Sequence, residues 1–272
     1  MIKFKKIISI HGVPRSGTSW LGQIFNSSPE VRYKFQPLFS YAFKDQINIY
    51  GTKKEIMDYF NGLYDYKDDF IDQEDKKKGG VYPIYNYKKK KPKYLVTKMV
   101  RYHFLIPHFL YLLNNIYIIA IVRHPCGVLN SWKKAPREFL QEWNFSKEWR
   151  FGQSKNEFRP EEYYGFHRWK EATKLFLEMS EQYPKKFKLI KYENLARSPV
   201  SLTKELFGFV QLDFSNVTLN FLNDSTTKMH KDPYSVYKGK KDVNDWKKEL
   251  DKKIVKNVFR ELKGSEFEKF LI

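Results

Sequence analysis

Residues 7–11, IISIH, form a short β-branched run that stops at a cluster of turn formers, Gly12, Pro14 and Gly17. Immediately afterwards Trp20, Leu21, Ile24 and Phe25 recur at helical spacing. A core strand that passes through a tight glycine loop straight into a helix constrains the fold more than any other part of this chain. It points the unpaired N–H groups of the first helical turn at whatever the loop holds. The same alternation returns downstream. Tyr94 to Met99 predicts a strand, residues 104–113 a helix, and residues 117–122 a strongly apolar strand. Pro125 is placed to open a helix whose apolar face is Val128, Leu129 and Trp132. A long helix is expected from Pro160, with Trp169, Ala172, Phe176 and Met179 on one side. A short strand over 186–191, a helix after Pro199 and a terminal amphipathic helix complete the pattern. Strands alternating with helices imply an α/β fold with a mainly parallel central sheet, which binds ligands at the carboxyl ends of its strands.

Between these elements the periodicity fails twice. Residues 63–93 and 135–160 are charged and aromatic without a regular spacing, and read as loop-rich insertions on the substrate side of one domain spanning 1–272. Pro37 is placed to open a second helix carrying Leu38, Phe39, Ala42 and Phe43. The longest uninterrupted apolar run, over 116–122, is seven residues, far short of a bilayer span. The N-terminus MIKFKKIISIHG passes directly into the first strand without a small-residue cleavage site, so no secretory leader is expected. Cys126 is the single cysteine; it excludes an internal disulfide and fits a reducing cytoplasm, the expected location. The 50 Lys and Arg outweigh 31 Asp and Glu to leave +19, a field that favours anionic partners without choosing among nucleotide, nucleic acid, acidic glycan or lipid. Part of that charge is ordinary solvated surface.

The first loop narrows the choice. In HGVPRSGTSW, Gly12 and Gly17 are separated by four residues, the P-loop spacing, but the lysine expected after Gly17 is Thr18 and the positive charge has moved to Arg15. Pro14, Arg15, Ser16, Gly17, Thr18, Ser19 and Trp20 thus make a phosphate-binding loop by position, and the fold is expected to be P-loop-like with three layers. A nucleoside triphosphatase or kinase would also need an acid at a neighbouring strand end for Mg²⁺. Here the most apolar strand ends in Arg123 and His124 instead, so no metal is expected. Arg123, and Ser131 eight residues later, are placed to reach a second phosphate.

GVPRSGTSWLGQIF, IVRHPCGVLNSW and KYENLARSP, in this order and spacing, resemble the sulfotransferases that use 3′-phosphoadenosine 5′-phosphosulfate (PAPS) and release 3′-phosphoadenosine 5′-phosphate (PAP). The resemblance implies that the first motif is the 5′-phosphosulfate loop, that Arg123 and Ser131 hold the 3′-phosphate, and that Tyr192 lies near the adenine. PRSGTS is closer to the carbohydrate and tyrosyl-protein branches than to the cytosolic small-molecule enzymes. TKMVR is similar to a strand-end Lys and Arg pair that would set Lys98 and Arg101 beside the transferred group. YKGKKDVNDWKK partly resembles the family's Lys-Gly loop and Asp-Trp, which would bring Lys238 and Gly239 over the 3′-phosphate. It departs from that pattern in having Tyr237 where an Arg is expected and extra residues before Asp245.

The implied chemistry is in-line displacement at sulfur, from PAPS to a hydroxyl or amine of a carbohydrate or glycolipid acceptor, for which the positive field also admits an anionic one, with Arg15 and Lys98 as catalytic cations and no metal. The proton-accepting group is not assigned by resemblance, because Gln36 stands where carbohydrate-branch relatives often carry Glu. By position His11, Glu30, Asp45, His103 and His108 are candidates. A reading from another class is a catalytically weak or inactive anion- or nucleic-acid-binding module on the same fold, with runs such as KKKKPK doing the binding. No nucleic-acid motif accompanies those runs, and the three anion elements fit one nucleotide cofactor better, so nucleic acid is not the expected partner; peripheral contact with anionic lipid stays open to a chain of this charge.

Overall fold

The computed structural model describes residues 3–239 and 242–272; Met1 and Ile2 of the basic N-terminus and Lys240 and Lys241 of the lysine-rich loop lie outside the described residues. Among the described residues five strands build one sheet: β1 (Lys6–His11), β2 (Val31–Phe35), β3 (Tyr94–Met99), β4 (Ile116–Val122) and β5 (Phe187–Lys191). Their order is β2-β3-β1-β4-β5 and every pairing is parallel. β1 and β3 are buried along their whole length, as strands covered on both faces must be.

Alternate residues of each strand serve opposite layers. Ile7, Leu95, Ile116, Ile118 and Ala120 pack on one face beneath α2 (Lys53–Asp65), α3 (Ile106–Leu112), α4 (Pro125–Lys133) and α5 (Phe166–Gln182). Ile8, Ile10, Val96, Ile119 and Ile121 pack on the other against α1 (Thr18–Asn26), α6 (Pro199–Val210) and α7 (Asn216–Thr227). The C-terminal α8 (Lys252–Leu262) adds Ile254, Val258 and Leu262 to the first face. The fold is therefore α/β with three layers around a wholly parallel, P-loop-like sheet.

Two local readings need correction. Pro37 opens only a 3₁₀ turn, Pro37–Phe39, because Ser40 returns to extended backbone at ψ 154°; the helix of this region is α2, capped by reciprocal bonds between Thr52 and Glu55. The long helix begins at Phe166 rather than Pro160, after Gly165 with φ 89° turns the chain into it. No helix among the described residues is long and apolar enough to cross a membrane.

Candidate functional site

The carboxyl ends of β1, β2, β3 and β4 open into one cavity of about 1000 Å³. Every site residue expected from sequence except Ser16 lines it: Pro14, Arg15, Gly17 to Trp20, Lys98, Arg123, Ser131, Tyr192, Lys238 and Gly239. Ser16 is buried just behind the wall, and its hydroxyl has no partner among the described residues.

The loop between β1 and α1 takes its shape from two left-handed residues, Arg15 at φ 72° and Gly17 at φ 93°. At Gly17 a side chain is barred twice, by that φ and by the Tyr192 ring, whose Cδ2 would sit 2.5 Å from an added Cβ. Tyr192 opens the helical turn after β5, so the end of β5 packs directly on the loop after β1. Its ring also lies under the Arg123 guanidinium, 4.7 Å from the centroid, and edge-on to Trp20 at 6.4 Å. Trp20 in turn donates its indole N–H to Ser225 of α7, 2.9 Å away.

Arg123 leaves the end of β4 and folds back over the first turn of α4, where an added Cβ on Gly127 would meet its Nε at 2.9 Å. It donates to the Arg15 carbonyl at 3.2 Å, while its buried Nε has no acceptor among the described residues. Arg15 donates from Nε to Ser131 at 3.1 Å and to the Pro233 carbonyl at 3.1 Å. Lys238 donates to the same carbonyl at 2.9 Å. Residues separated by more than two hundred positions thus converge, and two cations share one neutral oxygen. The sequence reading places Arg15 and Ser131 on different phosphates; here they touch. The Asp-Trp of the C-terminal segment lands on the same helix: Asp245 lies near the Asn130 amide, and Trp246 stacks on His124 with centroids 4.3 Å apart.

The other half of the cavity is aromatic and cationic. Lys98 is buried at the end of β3, its ammonium 4.4 Å from the Phe35 ring centroid, with no hydrogen-bond acceptor among the described residues. Burial, helped by the nearby charges of Lys76, Arg101 and Arg15 and opposed by Glu138, holds its amine well below the ordinary lysine range. Lys76 lies among the rings of Phe35, Tyr82 and Tyr234, and burial lowers its pKa to about 8, with Asp232 opposing the shift. Arg101 is clamped between Glu162, at 2.7 Å, and the Gln36 side-chain carbonyl, at 2.8 Å, and covers the Phe39 ring at 3.9 Å.

None of the five positional candidates for the base lines this cavity. His11 and His103 face each other through Nδ1 at 3.0 Å in the core, and His11 also bonds Ser9 at 2.8 Å. Burial drives both imidazoles neutral, His11 to a pKa of about 3. Glu30 pairs with Lys89, His108 bonds the Gly51 carbonyl, and Asp45 is exposed. Sequence reasoning missed Lys76, Arg137, Glu138 and Tyr234, which do line it. Lys76 sits in the run QEDKKKGG, where nothing local separates the one lysine that lines the cavity from its neighbours. For Glu138 a signal existed: Trp132 and Phe139, seven residues apart, are the buried anchors that bring it inward.

Among the solved structures this chain is similar to mouse sulfotransferase SULT7A1 complexed with PAP, at TM-score 0.58 and 15% identity over 99% of this chain and 90% of that one. It is similar to retinol dehydratase in complex with androsterone and inactive cofactor PAP, at 0.53 and 11% over 97% and 82%. The sulfotransferase domain of the Synechococcus PCC 7002 olefin synthase follows at 0.51 and 15% over 90% and 88%. No curated protein sequence matches the chain. At these identities the structures speak for the fold alone. The family itself rests on the sequence: a model described as the sulfotransferase family matches residues 8–216, from β1 through α7's first residue, and the chain belongs to that family.

Proposed function

We propose that this protein transfers the sulfuryl group of PAPS to a hydroxyl of a carbohydrate or glycolipid acceptor. The observation that carries the reading is the convergence of Arg15, Arg123, Ser131, Tyr192 and Lys238 on one cavity from four separate stretches of chain. The residues fit a nucleotide with phosphates at both ends. Arg123 Nε is a buried donor without an acceptor, and Ser16 a buried hydroxyl without a partner, each costly unless an incoming anion uses it. Arg123 and Ser131 would hold the 3′-phosphate, with Lys238 and Gly239 closing over it; the N–H groups opening α1 would hold the 5′ end. Tyr192 and Trp20 would flank the base. PAPS supplies the activated sulfuryl group, bonded to a phosphate that departs readily.

The remaining work falls to side chains. Lys98 and Arg15 stabilise charge as it grows on the departing phosphate. Lys98 has no hydrogen-bond acceptor among the described residues to leave, so it meets that charge without reorganisation. Arg101, fixed by Glu162, orients Gln36, whose amide N–H groups are left for an acceptor hydroxyl. Phe35, Phe39 and Phe70 provide flat apolar faces against which a sugar ring packs. Cations fill the electrostatic role a metal would otherwise serve, so transfer is expected without one. Single-turnover transfer of labelled sulfate from PAPS in EDTA, to a panel of glycans, glycolipids, phenols and amines, tests both halves of the reading. Labelled glycan or glycolipid supports it; labelling confined to phenols or amines would reassign the acceptor, and transfer only with added Mg²⁺ would refute the cation-based site.

A further inference from the structure

Resting on that reading, one carboxylate in the cavity is unaccounted for. Glu138 follows α4, and its backbone is fixed on both sides: its N–H donates to the Ala135 carbonyl at 2.9 Å, and its own carbonyl accepts from the Trp132 indole at 2.9 Å. Phe139, next in sequence, is buried between Trp132 and Phe145. This anchoring turns the Glu138 side chain into the cavity, where Oε1 lies 3.8 Å from the Arg15 guanidinium. Oε2 is buried and has no hydrogen-bond partner among the described residues. Its charge is felt by Lys98 and Lys76, which places it toward the half of the cavity where transfer would occur.

The other carboxylates lining the cavity are placed differently. Asp69 and Asp75 are exposed, and Asp245 lies beside Asn130 on the nucleotide side. Glu162 also has a buried unpartnered oxygen, but it is committed to Arg101 and does not line the cavity. A carboxylate oxygen held dry and unpaired is costly to fold around, and becomes useful only if something brings it a proton.

We infer that Glu138 is the general base. As the acceptor oxygen forms its bond to sulfur, its proton passes to the Glu138 carboxylate; the bond from sulfur to the 5′-phosphate oxygen breaks, and its electron pair leaves with that phosphate. Glu138 therefore faces the 5′ end of the nucleotide as well as the acceptor. Before any reaction, its negative charge repels the 5′-phosphate.

Glu138→Gln keeps shape and volume while removing both charge and basicity, and Glu138→Asp keeps the carboxylate. The experiment titrates PAP and adenosine 3′-phosphate into wild type and both variants by calorimetry, and follows labelled sulfate release from PAPS to water, an acceptor that needs no identification. Glu138→Gln should bind PAP about three- to tenfold more tightly, the order expected from removing one like charge several ångströms away. Its affinity for adenosine 3′-phosphate should not change, and its sulfate release should fall about 10²–10⁴-fold, with part recovered in Glu138→Asp. An equal gain for both nucleotides would mean that Glu138 is not sensed at the 5′ end, and no gain would place it away from the nucleotide; either overturns the inference, as does release within threefold of wild type. If wild type binds PAP and adenosine 3′-phosphate no better than AMP, the nucleotide reading fails and the base falls with it.

Discussion

Lys98 and Lys76 are the residues where burial and function meet most directly. Folding an ammonium among aromatic rings without a carboxylate partner costs solvation that an arriving anion returns. For Lys98 the account predicts that Lys98→Met lowers single-turnover sulfate transfer by about 10²–10³, the range typical of losing one preorganised donor to developing charge, while PAP affinity changes much less. A variant that loses affinity and rate in equal measure would make Lys98 a ground-state contact only. Lys76 gives a pH signature. Its pKa of about 8 in the free protein should rise when an anion binds nearby. Below pH 8 the amine is charged in both states and affinity is full; as pH rises through 8, binding must take up a proton and PAP affinity weakens. Calorimetric titration from pH 7 to 9.5 should reveal this decline in wild type and a shallower one in Lys76→Met. A flat profile in wild type would remove Lys76 from the site.

At the scale of elements, the loop between β1 and α1 depends on Gly17. Gly17→Ala would force a left-handed alanine, costing roughly 1–2 kcal/mol, and drive its methyl into Tyr192. The expected result is a folded protein whose melting temperature falls modestly while PAP affinity drops more than tenfold; unchanged affinity would contradict the packing of β5's end on the loop. Legibility in the sequence followed the same elements. β1, β3, β4, α1 and α4 announce themselves because a parallel strand buried on both faces must be a continuous apolar run, and because glycine or proline marks each boundary. β2 does not: VRYKF carries Arg32 and Lys34 at the sheet edge, where Lys34 can reach Asp72 at 2.8 Å, so its sequence lacks the apolar signature. The position of the phosphate loop was legible from its glycine spacing, and Arg123 from its place at the end of the most apolar strand together with the family resemblance. Lys76, Glu138 and Tyr234 were not, since they enter the cavity from aperiodic segments whose path is decided by distant anchors such as Trp132 and Tyr82.

The whole molecule buries three histidines that are held neutral, and that has a consequence for acid stability. His11 and His124 have pKa values of about 3, and His103 is also held well below its usual range, in each case chiefly by burial. Below pH 6.5 the unfolded chain binds protons that the folded chain refuses, so stability is full above about 6.5 and declines as pH falls toward 3. His11 and His124 each contribute roughly 1.4 kcal/mol per pH unit across that window, and His103 acts in the same direction. Denaturant titrations at pH 7, 6 and 5 should show the loss beginning above the carboxylate range. Equal stability at pH 7 and 5 would mean that the core opens to solvent around these rings.

The fold brings β1, β4, β5 and the C-terminal segment to one cavity edge, and the central claim is that this edge recognises both phosphates of one nucleotide. Calorimetric titration of PAP and AMP into the wild-type protein and Arg123→Ala tests it most directly. Two charge-assisted contacts to the 3′-phosphate, each worth roughly 1.5–3 kcal/mol, predict that PAP binds at least a hundredfold more tightly than AMP and that Arg123→Ala closes much of that gap. Equal binding of PAP and AMP by the wild-type protein would contradict the claim.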